Sequence, residues 1–246
     1  MAVDVRGLRK RFGGHVVLDG VDLSVAPGEL IAILGQSGTG KSVLLRHVAG
    51  LERPDAGTIT VGGLPLERYL AMPPDEKPFR IAMVFQNAAL LGSLTVAENV
   101  ALRLQEHSGL PAREIAERTR RALAAVDLAD AGTKLPSELS GGMRKRAAIA
   151  RALAVDPELI LHDEPTADLD PILARQIGEL IRRIGTERGA TQVVVTHSVP
   201  LAHAVADRIA VLDAGRIAEL VSSADLPRSA HPLTREFLRA AMPGME

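Results

Sequence analysis

One octapeptide constrains this chain more than anything else in it. Gly35-Gln36-Ser37-Gly38-Thr39-Gly40-Lys41-Ser42 fits the pattern G-x-x-x-x-G-K-[ST]. An apolar, β-branched run at 31–34 precedes it, and an apolar helical stretch at 43–48 follows. Glycines let successive backbone N–H groups turn inward around an anion without a Cβ clash. The helix behind them aims its positive end at the same point. In such a loop Lys41 reaches the β- and γ-phosphates of a nucleoside triphosphate and the Ser42 hydroxyl binds Mg²⁺. The plain alternative is a Gly-rich strand-to-helix turn; the strand and helix on either side set it aside.

Two further stretches carry charge or exposed N–H groups. Residues 159–164 form an apolar strand that ends in Asp163 and Glu164. At the C-terminal edge of a parallel sheet, where ligands gather, Asp163 suits Mg²⁺ and Glu164 suits a general base that polarises water. Alone, the pair could equally be a solvated turn. Ser140 before Gly141-Gly142 and a helical run to 154 is a natural N-cap at a second positive helix end. Asp170-Pro171 pairs an N-cap residue with a proline suited to the first helical position.

The rest of the chain supplies the frame. Apolar runs at 16–25, 30–34, 58–61, 81–85, 159–161, 193–196 and 209–212 read as strands, several of them continuous enough to be covered on both faces. Helical patterns fill 41–49, 112–126, 141–154, 171–187 and 200–206, so strands alternate with helices. The expected fold is α/β, a P-loop NTPase core with a mostly parallel sheet. An N-terminal antiparallel β-subdomain is expected at 2–25, with hairpin punctuation at Gly13-Gly14 and Asp19-Gly20. A helix-rich stretch breaks the alternation and reads as an inserted subdomain. One domain over 1–246 is expected: core and β-subdomain at about 1–86 and 157–221, helical subdomain at about 87–156, and a tail at about 222–246 with a helix at 232–241.

Composition narrows the function. The 246 residues carry a formal net charge of -1 and only 2% aromatics, so neither a basic field nor stacking platforms point to nucleic acid. The absence of Cys excludes disulfides and thiolate metal sites and suits a reducing compartment. Residues 1–10 lack the apolar core of a secretion signal. No apolar run reaches the roughly 18 residues needed to span a bilayer.

With these motifs in order, the sequence closely resembles the ATP-binding subunits of ABC transporters over nearly its whole length. Residues 35–42 look like their Walker A motif, 159–164 like Walker B with the catalytic glutamate, and 139–143 like the LSGGQ signature. Gln86 is similar to the Q-loop glutamine and His197 to the switch histidine. Residues 166–170 resemble the D-loop, and Phe12 stands where an aromatic stacks on adenine. The resemblance implies a homodimer arranged head to tail, with ATP and Mg²⁺ between the Walker motifs of one copy and Ser140, Gly141 and Gly142 of the other. Lys41, Gln86, Glu164 and His197 are then the catalytic set. Gly35 to Val43, Phe12 and Asp170 contact or frame nucleotide, and Ser42, Gln86 and Asp163 serve the metal.

Departures from the family pattern are Met143 for the signature glutamine, Val43 after the phosphate loop, Asp168 for a small residue, His162 before Asp163, and Phe12 for a tyrosine. Residues 38–46, 85–91, 139–146 and 231–238 resemble the Mla/Mkl subgroup, which drives lipid movement. That resemblance implies an integral MlaE-like permease, an Mce-type substrate-binding protein, a STAS-domain regulator and a place on the cytoplasmic side of the inner membrane. An importer of another solute, such as an amino acid, is the alternative; a non-transport ABC protein fits less well, given one cassette and no coiled-coil run. Leu90, Leu91 and Leu94 are candidates for a permease groove or for packed core. Arg144, Lys145, Arg146 and Arg151 read as a solvated face or a phosphate-neutralising patch.

Overall fold

The structure, a computed structural model, describes residues 1–107 and 109–242. It opens on β1 (Val3–Phe12) and β2 (His15–Val25), turned by Gly13-Gly14, both at positive φ. The second expected turn, Asp19-Gly20, is not a turn. It lies inside β2, where Gly20 at φ 82 is the extra residue of a bulge: register passes from Leu8↔Val21 to Arg9↔Asp19. Leu18 and Val21 on either side are fully buried, and a turn there would lift one of them out of the core.

Next come β3 (Leu30–Leu34), α1 (Lys41–Val48), β4 (Ala56–Val61), β5 (Leu64–Pro65), α2 (Leu66–Ala71) and β6 (Ile81–Val84). Three helices follow, α3 (Val96–His107), α4 (Ala112–Ala125) and α5 (Gly141–Leu153). Alternation then returns with β7 (Leu159–Asp163), α6 (Pro171–Arg188), β8 (Thr191–Thr196), α7 (Val199–Val205), β9 (Arg208–Asp213) and β10 (Arg216–Ser222), before α8 (Pro232–Ala241). Residues 243–246, the end of the expected tail, lie outside the described residues. Helix α3 had no separate sequence expectation, although Val96, Val100 and Leu104 line its buried face.

Two sheets result. One is antiparallel, in the order β2-β1-β4-β5. The other runs β10-β9-β3-β8-β7-β6, with β9, β3, β8, β7 and β6 parallel and β10 antiparallel at the edge. Strand β3 shows why its run is continuous. Leu30, Ala32 and Leu34 face a core built with α5, α6 and α7, whereas Ile31 and Ile33 face a second core shared with Val3, Val5, Leu44 and Leu45. Each fully buried Leu or Ile there contributes roughly 2 kcal/mol over exposure. Strands β3, β7 and β8 end level with one another, Leu34 beside Thr196 and Asp163 beside Val195. The chain therefore leaves the sheet at Gly35, Glu164 and His197 along one edge.

His162 sits in β7 with no exposure, its Nε2 2.9 Å from Gln192 Oε1. Gln192 Nε2 donates to the Ile181 carbonyl at 2.9 Å, so its Oε1 is the acceptor and His162 Nε2 carries the proton. Burial pushes the imidazole down to about 4, with the Gln192 bond opposing. The unfolded chain, with His near 6.5, binds the extra proton throughout the window from about pH 6.5 to 4, so stability falls as pH drops through it. Relative to a His162→Leu variant, the protein is expected to lose about 2 kcal/mol more between pH 7 and pH 5 in urea denaturation. Equal losses would show that His162 charges freely inside the fold.

Candidate functional site

The loop between β3 and α1 holds its shape through glycine. A Cβ on Gly35 would stand 2.5 Å from the Leu212 carbonyl oxygen of β9, and one on Gly40, at φ 98, would stand 2.9 Å from that of Val17. Gly38, at φ 84, faces open space. Gln36 and Ser37 are exposed, and the Thr39 hydroxyl donates to the Gln36 carbonyl at 2.9 Å. Lys41, 5% exposed, turns back under this loop. Its Nζ donates to the Gly35 and Gln36 carbonyls, both at 2.9 Å, and lies 3.8 Å from Glu164 Oε1. Burial lowers its pKa, and the Glu164 and Asp163 carboxylates oppose that.

The carboxylates complete the cluster. Ser42 Oγ donates to Asp163 Oδ1 at 2.6 Å. Glu164 stands in the left-handed region at φ 45, its N–H donating to the Val195 carbonyl at 2.9 Å. Its Oε2 is 3.0 Å from His197 Nδ1 and also accepts from the His197 backbone N–H at 3.4 Å. One carboxylate thus spans a buried ammonium and a largely exposed imidazole. Among the described residues, no group of three or more His, Cys, Asp or Glu could hold a metal alone. Ser42 and Asp163 nevertheless fit Mg²⁺, which takes hard oxygens, accepts few protein ligands and completes its shell with water and phosphate.

Ser140, Gly141 and Gly142 lie apart from this cluster. Ser140 caps α5, its Oγ accepting from the Met143 N–H at 3.3 Å. Gly141 and Gly142 let Leu169 and Leu173 approach, at 3.5 and 3.3 Å from a built Cβ. Among the described residues, no hydrogen bond joins these three to Lys41, Ser42, Asp163 or Glu164. Asp170 caps α6 as its sequence predicts, accepting from Ile172 and Leu173 N–H at 2.9 and 3.0 Å. Phe12 is 45% exposed at the β1–β2 turn, with the Lys10 ammonium 5.1 Å from its ring centre. Val43 is half-buried against the core.

The model of the ABC transporter family matches residues 18–167, more than half of the sequence. The chain belongs to that family. The L-cystine transport system ATP-binding protein TcyN of Escherichia coli (strain K12) is 43% identical over 243 residues, 96% of this chain and 97% of its own length. The sulfate/thiosulfate import ATP-binding protein CysA of Mycobacterium bovis is 44% identical over 225 residues, and there the chain spans only 62% of the relative's length. A solved ATP-binding cassette, dimeric in a post-hydrolysis state with ADP and Pi, superposes with a TM-score of 0.79 at 31% identity. That match covers 90% of this chain and 98% of the cassette. These names speak of amino-acid and sulfate systems and give no support to the lipid subgroup.

This ABC ATPase, which hydrolyses ATP in the service of transport, has no helix among the described residues long and apolar enough to cross a membrane. Of the basic run, read from the sequence as a solvated face or a phosphate-neutralising patch, Arg144 is exposed, and Lys145, Arg146 and Arg151 are partnered within the fold. Lys145, 7% exposed, donates to the Gln86 carbonyl, and Arg146 pairs with Asp127 at 2.8 Å. Arg151 donates to the carbonyls of Ala88, at 2.8 Å, and Ala89. Those two alanines are consecutive left-handed residues, at φ 58 and φ 48, a strained turn of the kind that persists only where its surroundings hold it. The Gln86 side chain itself is exposed. Leu90 is partly buried against the core, whereas Leu91 is 47% exposed. No local sequence signal marks Lys145 and Arg151 as holding this loop, because their partners are backbone carbonyls 59 to 63 residues away.

The Gly35 contact with β9 is backbone to backbone and cannot yield by a rotamer change. Gly35→Ala is expected to lower stability by about 1–3 kcal/mol through overpacking, read as a lower urea midpoint. An unchanged midpoint would show that β9 moves aside freely.

Proposed function

We propose that this ABC ATPase works as a head-to-tail pair of identical chains on the cytoplasmic face of a membrane, driving a separate integral permease. The observation that carries the reading is the separation of two anion-facing surfaces on one chain. Gly35 to Ser42 form the loop read as a phosphate cradle, and among the described residues the Ser140 end of α5 shares no hydrogen bond with it. A second copy brings a Ser140 end to each cradle, and the dimeric form of the solved cassette supports that pairing.

The residue roles are those that the family resemblance implies, and the geometry supports them. Lys41 is already buried and already directed at the loop, so its charge meets the β- and γ-phosphates with little further ordering cost. Ser42 and Asp163 would hold Mg²⁺, which supplies charge neutralisation at the transferred phosphoryl group. Glu164 orients the attacking water and accepts its proton, and its bond to His197 fixes the direction of Oε2. His197 is largely exposed beside Glu164, where it would meet the γ-phosphate, and Gln86 would report metal and water to the helices behind it. Phe12 offers its face to adenine, with Gln36, Ser37, Gly38 and Thr39 supplying N–H groups around the phosphates. Met143, Val43, Asp168 and His162 remove none of these ligands.

For cargo, the names of the relatives favour a small-solute importer, for example of an amino acid. A second reading, lipid movement with an MlaE-like permease, an Mce-type protein and a STAS-domain regulator, is favoured by the Met143-bearing stretch 139–146 and by residues 231–238, most of which form α8. Recovery of the native complex from membranes separates them: an amino-acid permease supports the first, an Mce-type protein the second. Glu164→Gln is expected to cut ATP turnover at least about 100-fold while retaining ATP and a stable dimer in gel filtration; unchanged turnover would refute the role given to Glu164. Lys41→Ala is expected to abolish tight ATP binding in a titration.

A further inference from the structure

Lys145 is buried, charged and shared between two segments that carry different motifs. Its Nζ donates to the carbonyl of Gln86, just past β6. It lines a cavity of about 230 Å³ together with Gly141, Arg144, Asp168 and Leu169. Burial lowers the Lys145 pKa, and the Asp168 carboxylate is the largest opposing influence. Asp168 stands at φ 64, a left-handed position in the turn between Glu164 and Asp170, where the family pattern has a small residue. A buried ammonium must keep its partners, because an unpaired charge away from water is costly. The Gln86 carbonyl is the hydrogen-bond partner of that charge and the Asp168 turn lines the same cavity, so movement of either segment alone would change its surroundings.

We propose that Lys145 is a positioning residue for ATP turnover, tying the Gln86 loop and the Asp168 turn to α5 so that all three follow the Ser140 end when it meets nucleotide. The inference rests on the roles proposed above for Gln86 and Ser140. Lys145 acts through its hydrogen bond to the Gln86 carbonyl and across the cavity it shares with Asp168, and Arg151 adds a second anchor on the same loop at Ala88 and Ala89.

The test compares the full-length protein with Lys145→Met and Lys145→Arg. Hydrogen exchange without nucleotide is measured on peptides covering residues 86–91 and 166–170. Both segments are expected to exchange faster in K145M and to return close to wild type in K145R, whose guanidinium still donates. Steady-state kinetics should show kcat about tenfold lower in K145M, with the KM for ATP within about twofold, since the cradle at 35–42 is untouched. Acceleration confined to one segment, or an unchanged kcat in K145M, overturns the proposal. Should K145M fail to fold, Asp168→Asn on the exposed turn replaces it: faster exchange at both segments is expected, and an effect limited to its own turn overturns the tie. A wild-type protein without ATP turnover would undo the catalytic reading, and the exchange data would still decide whether Lys145 joins the two segments.

Discussion

The ammonium of Lys41 is buried beneath its own loop, and the site is arranged around that charge. Two carbonyls, of Gly35 and Gln36, and one carboxylate, of Glu164, compensate it. The carbonyls require the loop to fold back over the first turn of α1, which the open position of Gly38 and the positive φ of Gly40 allow. The carboxylate requires β7 to end level with β3, and the parallel register delivers it there through β8. Glu164 in turn meets His197 at the end of β8, so three neighbouring strand ends are joined through one chain of contacts.

Helix α5 is the second organising element. Its N-terminal end is capped by Ser140, and its flank reaches back to the loop after Gln86 through Lys145 and Arg151. The loop they hold contains two left-handed alanines, a conformation unfavourable enough to need such anchoring. The helix that carries Ser140 and the loop after Gln86 are therefore joined by hydrogen bonds from two of its side chains. Helices α3 to α5 supply much of one core, while α1 belongs to the other core.

Much of this was legible in the sequence. Residues 30–34 are all apolar because both faces of β3 are covered, and the Gly-rich loop announced itself by spacing. Ser140 and Asp170 cap the helices their positions suggest, since a cap bonds to N–H groups two or three residues away. Asp19-Gly20 was misread because the same dipeptide serves a turn or a bulge, and only the burial of Leu18 and Val21 chooses between them. The partners of Lys145 and Arg151 on α5 were not legible, because their charge says nothing about where distant carbonyls lie.

What the sequence determined by itself was the chemistry that depends on near neighbours: the Gly-rich loop, the caps, the strand that ends at Asp163 with Glu164 just past it, and membership of an ATPase family. Tertiary structure decided the pairings: Lys41 with Glu164, His162 with Gln192, and Lys145 with Gln86. The reason is physical. Local signals arise from backbone geometry and hydrogen bonds within a few residues. The cost of burying a cation or an imidazole is met by groups that only the closed sheet and its packed helices bring within reach.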